Sequence, residues 1–317
     1  MTKSGELKAV EDVSFEILEG QSVGIVGESG SGKSTLALAL MRSIPDNGYI
    51  ESGNAILKGK DILKMPVKIF DELFRWKEIS MIFQGSMNSL DPVFSIENQM
   101  KEILKVHKIK SDYGNYNKII KNTLSKVGLD PAIVAKRYQH ELSGGMKQRI
   151  VIANALLLEP SILIADEPTT ALDVITQSHI ITLLKNMKKT KKMKIILITH
   201  DLSLIPSIAD KVVIMYAGQA VEISDIKTIY DRPLHPYTQD LIKSIPNINS
   251  SSKNQTQSIT KGFVDPLSIK EGCKFRNKCP YVMDICKNTP PDFRIGGNSV
   301  KCWLYDEKQK LINIQYK

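Results

Sequence analysis

The chain has 317 residues, 42% hydrophobic and 24% charged, a balance that suits folded globular domains and excludes a disordered chain. Lysine plus arginine (43) exceed aspartate plus glutamate (34), giving a net charge of +9. The basic residues are spread out, which favours a solvated surface over a nucleic-acid-binding face. The polar start, with charges of both signs, gives no expectation of a secretory signal peptide. The longest apolar run, Ile150 to Leu158, contains Asn154 and stops at Glu159-Pro160, too short to span a membrane. A soluble, cytoplasmic chain is expected, with any membrane role exercised through partner subunits.

In chain order, Val13-Ser14-Phe15-Glu16-Ile17 alternates and predicts a strand. Glu19-Gly20 turns it into Ser22-Val23-Gly24-Ile25-Val26, an apolar run that reads as a buried strand. Next comes Gly27-Glu28-Ser29-Gly30-Ser31-Gly32-Lys33-Ser34-Thr35, which fits the phosphate-binding pattern G-x-x-x-x-G-K-[ST] at every fixed position. Helix formers follow it, from Leu36 to Met41. Strand, glycine loop and helix start form the geometry an anion needs. The glycines let successive N–H groups point at one phosphate, and the helix N-terminus adds partial positive charge. In such a loop Lys33 reaches the β- and γ-phosphates and the Ser34 hydroxyl binds Mg²⁺.

Ala55-Ile56-Leu57 and Ile79-Ser80-Met81-Ile82-Phe83 are further predicted strands, and the pattern from about 91 to 158 is mainly helical. Ile162-Leu163-Ile164-Ala165 and Ile195-Ile196-Leu197-Ile198 are short continuous apolar runs, as in a buried parallel sheet. Lys211 to Tyr216, Ala217-Gly218, then Gln219 to Ile223 reads as a hairpin. The alternation predicts an α/β fold. One domain is expected over 1–247, with a helical subdomain at 91–158, a polar linker at 248–262 and a cysteine-bearing tail at 263–317.

Two further stretches carry chemistry. The strand at 162–165 ends in Asp166-Glu167. A carboxylate at such a strand end can hold Mg²⁺, which suits Asp166. Glu167 would then sit beside the γ-phosphate, where a base takes a proton from attacking water. Leu142-Ser143-Gly144-Gly145 caps a helix and leaves its first N–H groups unshielded, a second anion site. One nucleotide needs one phosphate loop, so the second site makes sense if it closes on a nucleotide held by another subunit.

With these residues in view, the chain resembles the ATP-binding subunits of ABC transporters, over nearly its whole length. Leu142-Ser143-Gly144-Gly145 is similar to the family's signature motif, Gln84 to the Q-loop glutamine, Ala171-Leu172-Asp173 to the D-loop and Ile198-Thr199-His200-Asp201 to the switch-histidine motif. Within the family it most resembles importers of oligopeptides, dipeptides and, in some members, nickel. That likeness rests on Gly27-Glu28-Ser29-Gly30-Ser31-Gly32, Asn88-Ser89-Leu90-Asp91-Pro92, Tyr138-Gln139-His140-Glu141 and Pro233-Leu234-His235-Pro236-Tyr237-Thr238. The resemblance implies a P-loop ATPase fold and ATP hydrolysis coupled to peptide uptake. It implies catalytic roles for Glu167, His200 and Gln84, Mg²⁺ held by Ser34, Gln84 and Asp166, and nucleotide contacts from Gly27–Thr35, Ser143, Gly144, Gly145, Asp173 and His200. It also implies a second ATP-binding subunit, two membrane permeases, an extracytoplasmic binding protein, and a peripheral position at the cytoplasmic face. The rival reading is a non-transport relative acting on ribosomes or DNA. Such proteins usually carry two cassettes or a long coiled-coil insertion, and neither pattern is here. A regulatory ATP-binding protein without turnover is disfavoured by the complete pair Asp166-Glu167.

Two departures from the family pattern stand out. Gln84-Gly85-Ser86 replaces glutamine, an acid and proline. No Phe, Tyr or Trp precedes Phe15, where the resemblance implies an aromatic to stack on adenine; weak stacking or an upstream start is expected. The four cysteines, Cys273, Cys279, Cys286 and Cys302, all lie in the tail, spaced C-x5-C-x6-C-x15-C, and are expected to sit away from every nucleotide motif. Four thiolates in a reducing compartment suit an iron–sulfur cluster or Zn²⁺. The lack of a C-x2-C pair weakens zinc. Some similar importers carry a [4Fe–4S] cluster there, so a cluster is the first expectation, free thiols the second and zinc the third.

Overall fold

A computed structural model describes residues 6–109, 113–170, 172–245, 269 and 271–307. The linker expected at 248–262 lies outside the described residues, as does Ala171. The strands are β1 (Ser22–Val26), β2 (Ile56–Leu57), β3 (Lys60–Asp61), β4 (Ile79–Ile82), β5 (Ile162–Asp166), β6 (Lys194–Thr199), β7 (Lys211–Tyr216), β8 (Gln219–Asp225), β9 (Phe293–Ile295) and β10 (Asn298–Val300). The helices are α1 (Lys33–Leu40), α2 (Val67–Leu73), α3 (Ile96–Val106), α4 (Tyr113–Lys126), α5 (Pro131–Val134), α6 (Gly144–Leu156), α7 (Val174–Lys191), α8 (Ile226–Asp231) and α9 (Pro236–Lys243). Among the described residues no helix is long and apolar enough to cross a membrane.

The chain divides into two compact units. The first unit holds residues up to 17, 23–36, and 199 onward. Its sheet runs β1, β7, β8, β10, β9. The β1–β7 pair is parallel and the others are antiparallel. The β7–β8 hairpin turns on Ala217 and Gly218, at φ 46° and 86°, the left-handed pair that a tight two-residue turn requires. The centre of β7 is apolar: Val212, Val213, Ile214 and Met215 are fully buried.

The second unit holds 18–22 and 37–198. Its strands β4, β5 and β6 are parallel neighbours in that order, which accounts for their unbroken apolar runs. Helices α3, α4 and α6 pack together through Met100, Leu104, Ile120, Leu124, Ile150 and Ile152, all at most 1% exposed. Ser95 caps α3, Asp130 caps α5 and Ser143 caps α6, each accepting a backbone N–H.

The strand expected at residues 13–17 is absent. The alternation of half-buried and exposed positions is there, but no described strand ladders onto it. Alternation alone does not make a strand, because the backbone groups need a partner edge.

Candidate ATP-binding and hydrolysis site

The first unit carries the phosphate loop between β1 and α1. Gly27 and Gly32 are required by close approach: a Cβ on Gly27 would strike the Met215 carbonyl oxygen, and one on Gly32 the Ala9 carbonyl oxygen. Lys33 is 6% exposed. Its Nζ donates to the Gly27 carbonyl at 2.8 Å and the Glu28 carbonyl at 2.7 Å, and lies 3.4 Å from Ser31 Oγ. The ammonium is thus held inside its own loop, where phosphate oxygens could take the place of these carbonyls. Ser34 stands in the first turn of α1, half-buried. The Glu28 N–H donates to Tyr237 Oη at 2.9 Å, tying the loop to α9. His200 follows β6 and is exposed, and the next residue, Asp201, accepts from the Ser203 N–H at 2.8 Å.

The second unit carries the acids. Asp166 ends β5 and is 2% exposed, which withdraws its carboxylate from bulk water. Glu167 follows at φ 47°, a left-handed conformation that costs a non-glycine residue about 1–3 kcal/mol. Its N–H donates to the Ile198 carbonyl at 2.9 Å, which fixes the backbone. Its Oε2 accepts from Gln84 Nε2 and from Thr170 Oγ1, both at 3.0 Å. Gln84 lies two residues beyond the end of β4, so neighbouring parallel strands bring these two side chains together.

The signature residues and Asp173 meet in the same unit. Ser143 Oγ accepts from the Met146 N–H at 3.3 Å. Asp173 caps α7, accepting from the Thr176 N–H at 2.9 Å and Thr176 Oγ1 at 2.7 Å. These bonds hold its carboxyl below the usual range. A Cβ on Gly145 would come within 2.9 Å of Thr176 Cγ2, so the glycine lets the two loops touch. Thr170 and Thr176 carry no motif of their own: Thr170 meets Glu167 through the turn after β5, and Thr176 bonds Asp173 within the same helix cap while its methyl lies against Gly145.

The four cysteines sit in the first unit. Cys286 and Cys302 are buried, Cys273 and Cys279 half-buried, and none is in a disulfide. Burial pushes the thiol of Cys273 up to about 11 and that of Cys302 up to about 12. The thiols also raise one another, and the Met283 N–H points at Cys286 Sγ at 3.5 Å. Among the described residues, however, no three His, Cys, Asp or Glu side chains are grouped to hold a metal ion. As they stand, the thiols do not fit a metal.

A family model described as ABC transporter matches residues 10–170, over half the chain. The chain belongs to that family. A second model, the C-terminal region of oligopeptide/dipeptide transporters, matches residues 221–286 of this ABC subunit. The dipeptide transport ATP-binding protein DppD of Caldanaerobacter subterraneus subsp. tengcongensis is 41% identical, covering 98% of this chain and 95% of its own length. The oligopeptide transport ATP-binding protein OppD of Salmonella typhimurium is 42% identical, over 92% of this chain and 86% of its own. Among solved structures, the ATP-binding cassette MJ0796 in a post-hydrolysis dimer bound to ADP and Pi matches with a TM-score of 0.60 and 25% identity. It covers 69% of this chain and 90% of its own. CbiO1 from Clostridium perfringens, part of the transporter complex cbiONQ, matches at 0.60 and 28% identity over 71% of this chain and 84% of its own.

Proposed function

We propose that this ABC subunit hydrolyses ATP to power the uptake of dipeptides or oligopeptides. The observation that carries the reading is Glu167, held in a strained backbone conformation beside Asp166 with Oε2 fixed by Gln84 and Thr170. Such over-determination suits a general base that must meet one water in one direction. The amides of Gly27–Thr35 and Lys33 bind the β- and γ-phosphates. Ser34, Gln84 and Asp166 would hold Mg²⁺, which would supply neutralisation of the phosphate charge. Glu167 takes a proton from water as its oxygen bonds to the γ-phosphorus, and the bond to the bridging oxygen breaks, releasing ADP. His200 contacts the γ-phosphate side. Ser143, Gly144, Gly145 and Asp173 serve a nucleotide held by a second cassette.

The names of the relatives support peptides as cargo. The dimeric cassette among the structural matches supports the paired arrangement. Two permeases and an extracytoplasmic binding protein complete the assembly, with this subunit peripheral on the cytoplasmic face. Action on ribosomes or DNA gains no support from the relatives. For the tail we propose a [4Fe–4S] cluster ahead of zinc. The placement of all four cysteines in one tail, none of them in a disulfide, supports it, and loading would require them to draw together.

The test is Glu167→Gln. ATP binding should persist while hydrolysis slows by roughly 10²–10⁴-fold, the usual contribution of a general base. ATP should then lock a stable dimer, read by gel filtration. Normal turnover in this variant would remove Glu167 from the role.

A further inference from the structure

The cysteine-bearing tail, expected to lie away from the nucleotide motifs, instead packs against the phosphate loop within the first unit. Phe275, 2% exposed, enters an aromatic cluster with Tyr216 (ring centroids 5.3 Å apart), Tyr237 (5.5 Å) and His235 (5.8 Å). Tyr237 is the residue whose hydroxyl accepts the Glu28 N–H. One turn on from Phe275, Lys278 has an 8% exposed side chain whose Nζ faces Glu28 Oε2 at 4.0 Å. Among the described residues neither Lys278 Nζ nor Glu28 Oε1 has a hydrogen-bond partner. The pair is therefore held by charge, and the buried Lys278 depends on Glu28 for compensation, while the Glu28 side chain is 34% exposed. Two more tail lysines grip the segment next to the loop. Lys274 meets Glu11 at 3.7 Å, and Lys301 meets Asp12 at 2.6 Å. The carbonyl of Ala9, in that same segment, lies against Gly32.

Glu28 is an acid inside a loop built to receive a polyphosphate. Its charge opposes the ligand unless a cation answers it. We propose that the C-terminal region is a positioning element for the phosphate loop, in which Lys278 neutralises and holds Glu28 while Phe275 seats Tyr237 beneath the same residue. The tail thereby sets the affinity for ATP without touching it. This inference rests on the reading of the loop as the ATP site.

The charge logic gives opposite signs for the two partners. In the full-length chain, binding of Mg-ATP is measured by calorimetry and steady-state ATPase by phosphate release. Lys278→Met exposes the phosphates to an unanswered carboxylate and should weaken ATP binding by about three- to thirtyfold, a range set by pair couplings between neighbouring residues. The effect falls on KM, with kcat changed less than about twofold. Glu28→Gln leaves Lys278 uncompensated beside the phosphates and should tighten binding. The double variant should return towards the wild type, and Lys278→Arg should keep wild-type affinity. A merely structural contact would make both single variants weaker together, and that result, or no change in either, overturns the proposal. If Lys278→Met fails to fold, the sign of the Glu28→Gln effect decides. Lys33→Ala separates the two readings. If it leaves ATP binding intact, the loop is not the site. If it abolishes binding while Lys278→Met is silent, only the role of the tail fails.

Discussion

His235 makes the C-terminal half of the first unit sensitive to mild acid. It is fully buried, caps α9 through Nδ1, which accepts the Tyr237 N–H at 3.0 Å, and packs against the Phe275 ring. Burial depresses its pKa from 6.5 to about 3. A group depressed in the folded state contributes stability that is present above its ordinary pKa and is lost as pH falls towards the folded value. Between pH 7.5 and 5.5 the unfolded chain takes up the proton and the folded chain does not. Linkage puts that loss at about 1.4 kcal/mol, close to one full pH unit below 6.5. Glu222, which accepts the His235 N–H at 2.8 Å, works the other way, because burial raises its carboxyl. Its contribution stays in the background when His235→Asn is compared with wild type, since asparagine can still cap α9. Denaturant unfolding at the two pH values should show the wild type losing about 1.4 kcal/mol more than the variant, or about 3–5 °C in Tm. Equal losses would refute a neutral, buried His235.

Two further outcomes are expected. Gly145→Ala drives a methyl to within 2.9 Å of Thr176 Cγ2, and Thr176 cannot swing away without breaking its 2.7 Å bond to Asp173. Turnover should fall with ATP binding retained, at an overpacking cost of about 1–3 kcal/mol, and Thr176→Ser, which deletes the obstructing methyl, should restore it; no rescue would break the link between the two loops. Anaerobically purified protein should contain about four iron atoms per chain if all four cysteines ligate a cluster. One zinc would reassign the centre, and four alkylatable thiols without metal would dismiss it.

Much of this architecture was legible in the sequence, for identifiable reasons. Strand β5 lies between its parallel neighbours β4 and β6, so after its first residue no position faces water and the apolar run is unbroken. The phosphate loop and the Ser143 cap are local, written within a few residues of the groups they serve. The strand expected at 13–17 failed because its test is a partner, which no local pattern records. The contact of Thr176 with Gly145 belongs to the same class, because it joins residues far apart in the chain, whereas the Thr176–Asp173 and Thr170–Glu167 bonds are local. The contact between Lys278 and Glu28 spans most of the chain and joins two ordinary surface-type residues, so nothing in either neighbourhood marks it.

That contact also changes the argument about the cysteines. A short, apolar-poor tail needs a metal only if it must fold on its own. It does not fold on its own here. Strand β10 adds to the main sheet, pairing Ser299 with Ile223 and Val300 with Glu222, and the Lys301 N–H continues the pairing onto the Val221 carbonyl at 2.9 Å. Ile269, Phe275 and Val300, at 3%, 2% and 0% exposure, are the tail's buried apolar anchors, and Phe275 spends its area on Tyr216 and Tyr237. Burying one phenylalanine contributes about 1.5–3 kcal/mol. The tail thus borrows its core from the rest of the first unit, and a cluster would load onto a fold already seated. Loss of one ligand by a Cys→Ser change should therefore release the metal yet leave the β8–β10 ladder intact. The measurement is hydrogen exchange at the Lys301 amide: protection equal to wild type fits a borrowed core, while loss of protection restores the metal as the tail's organiser.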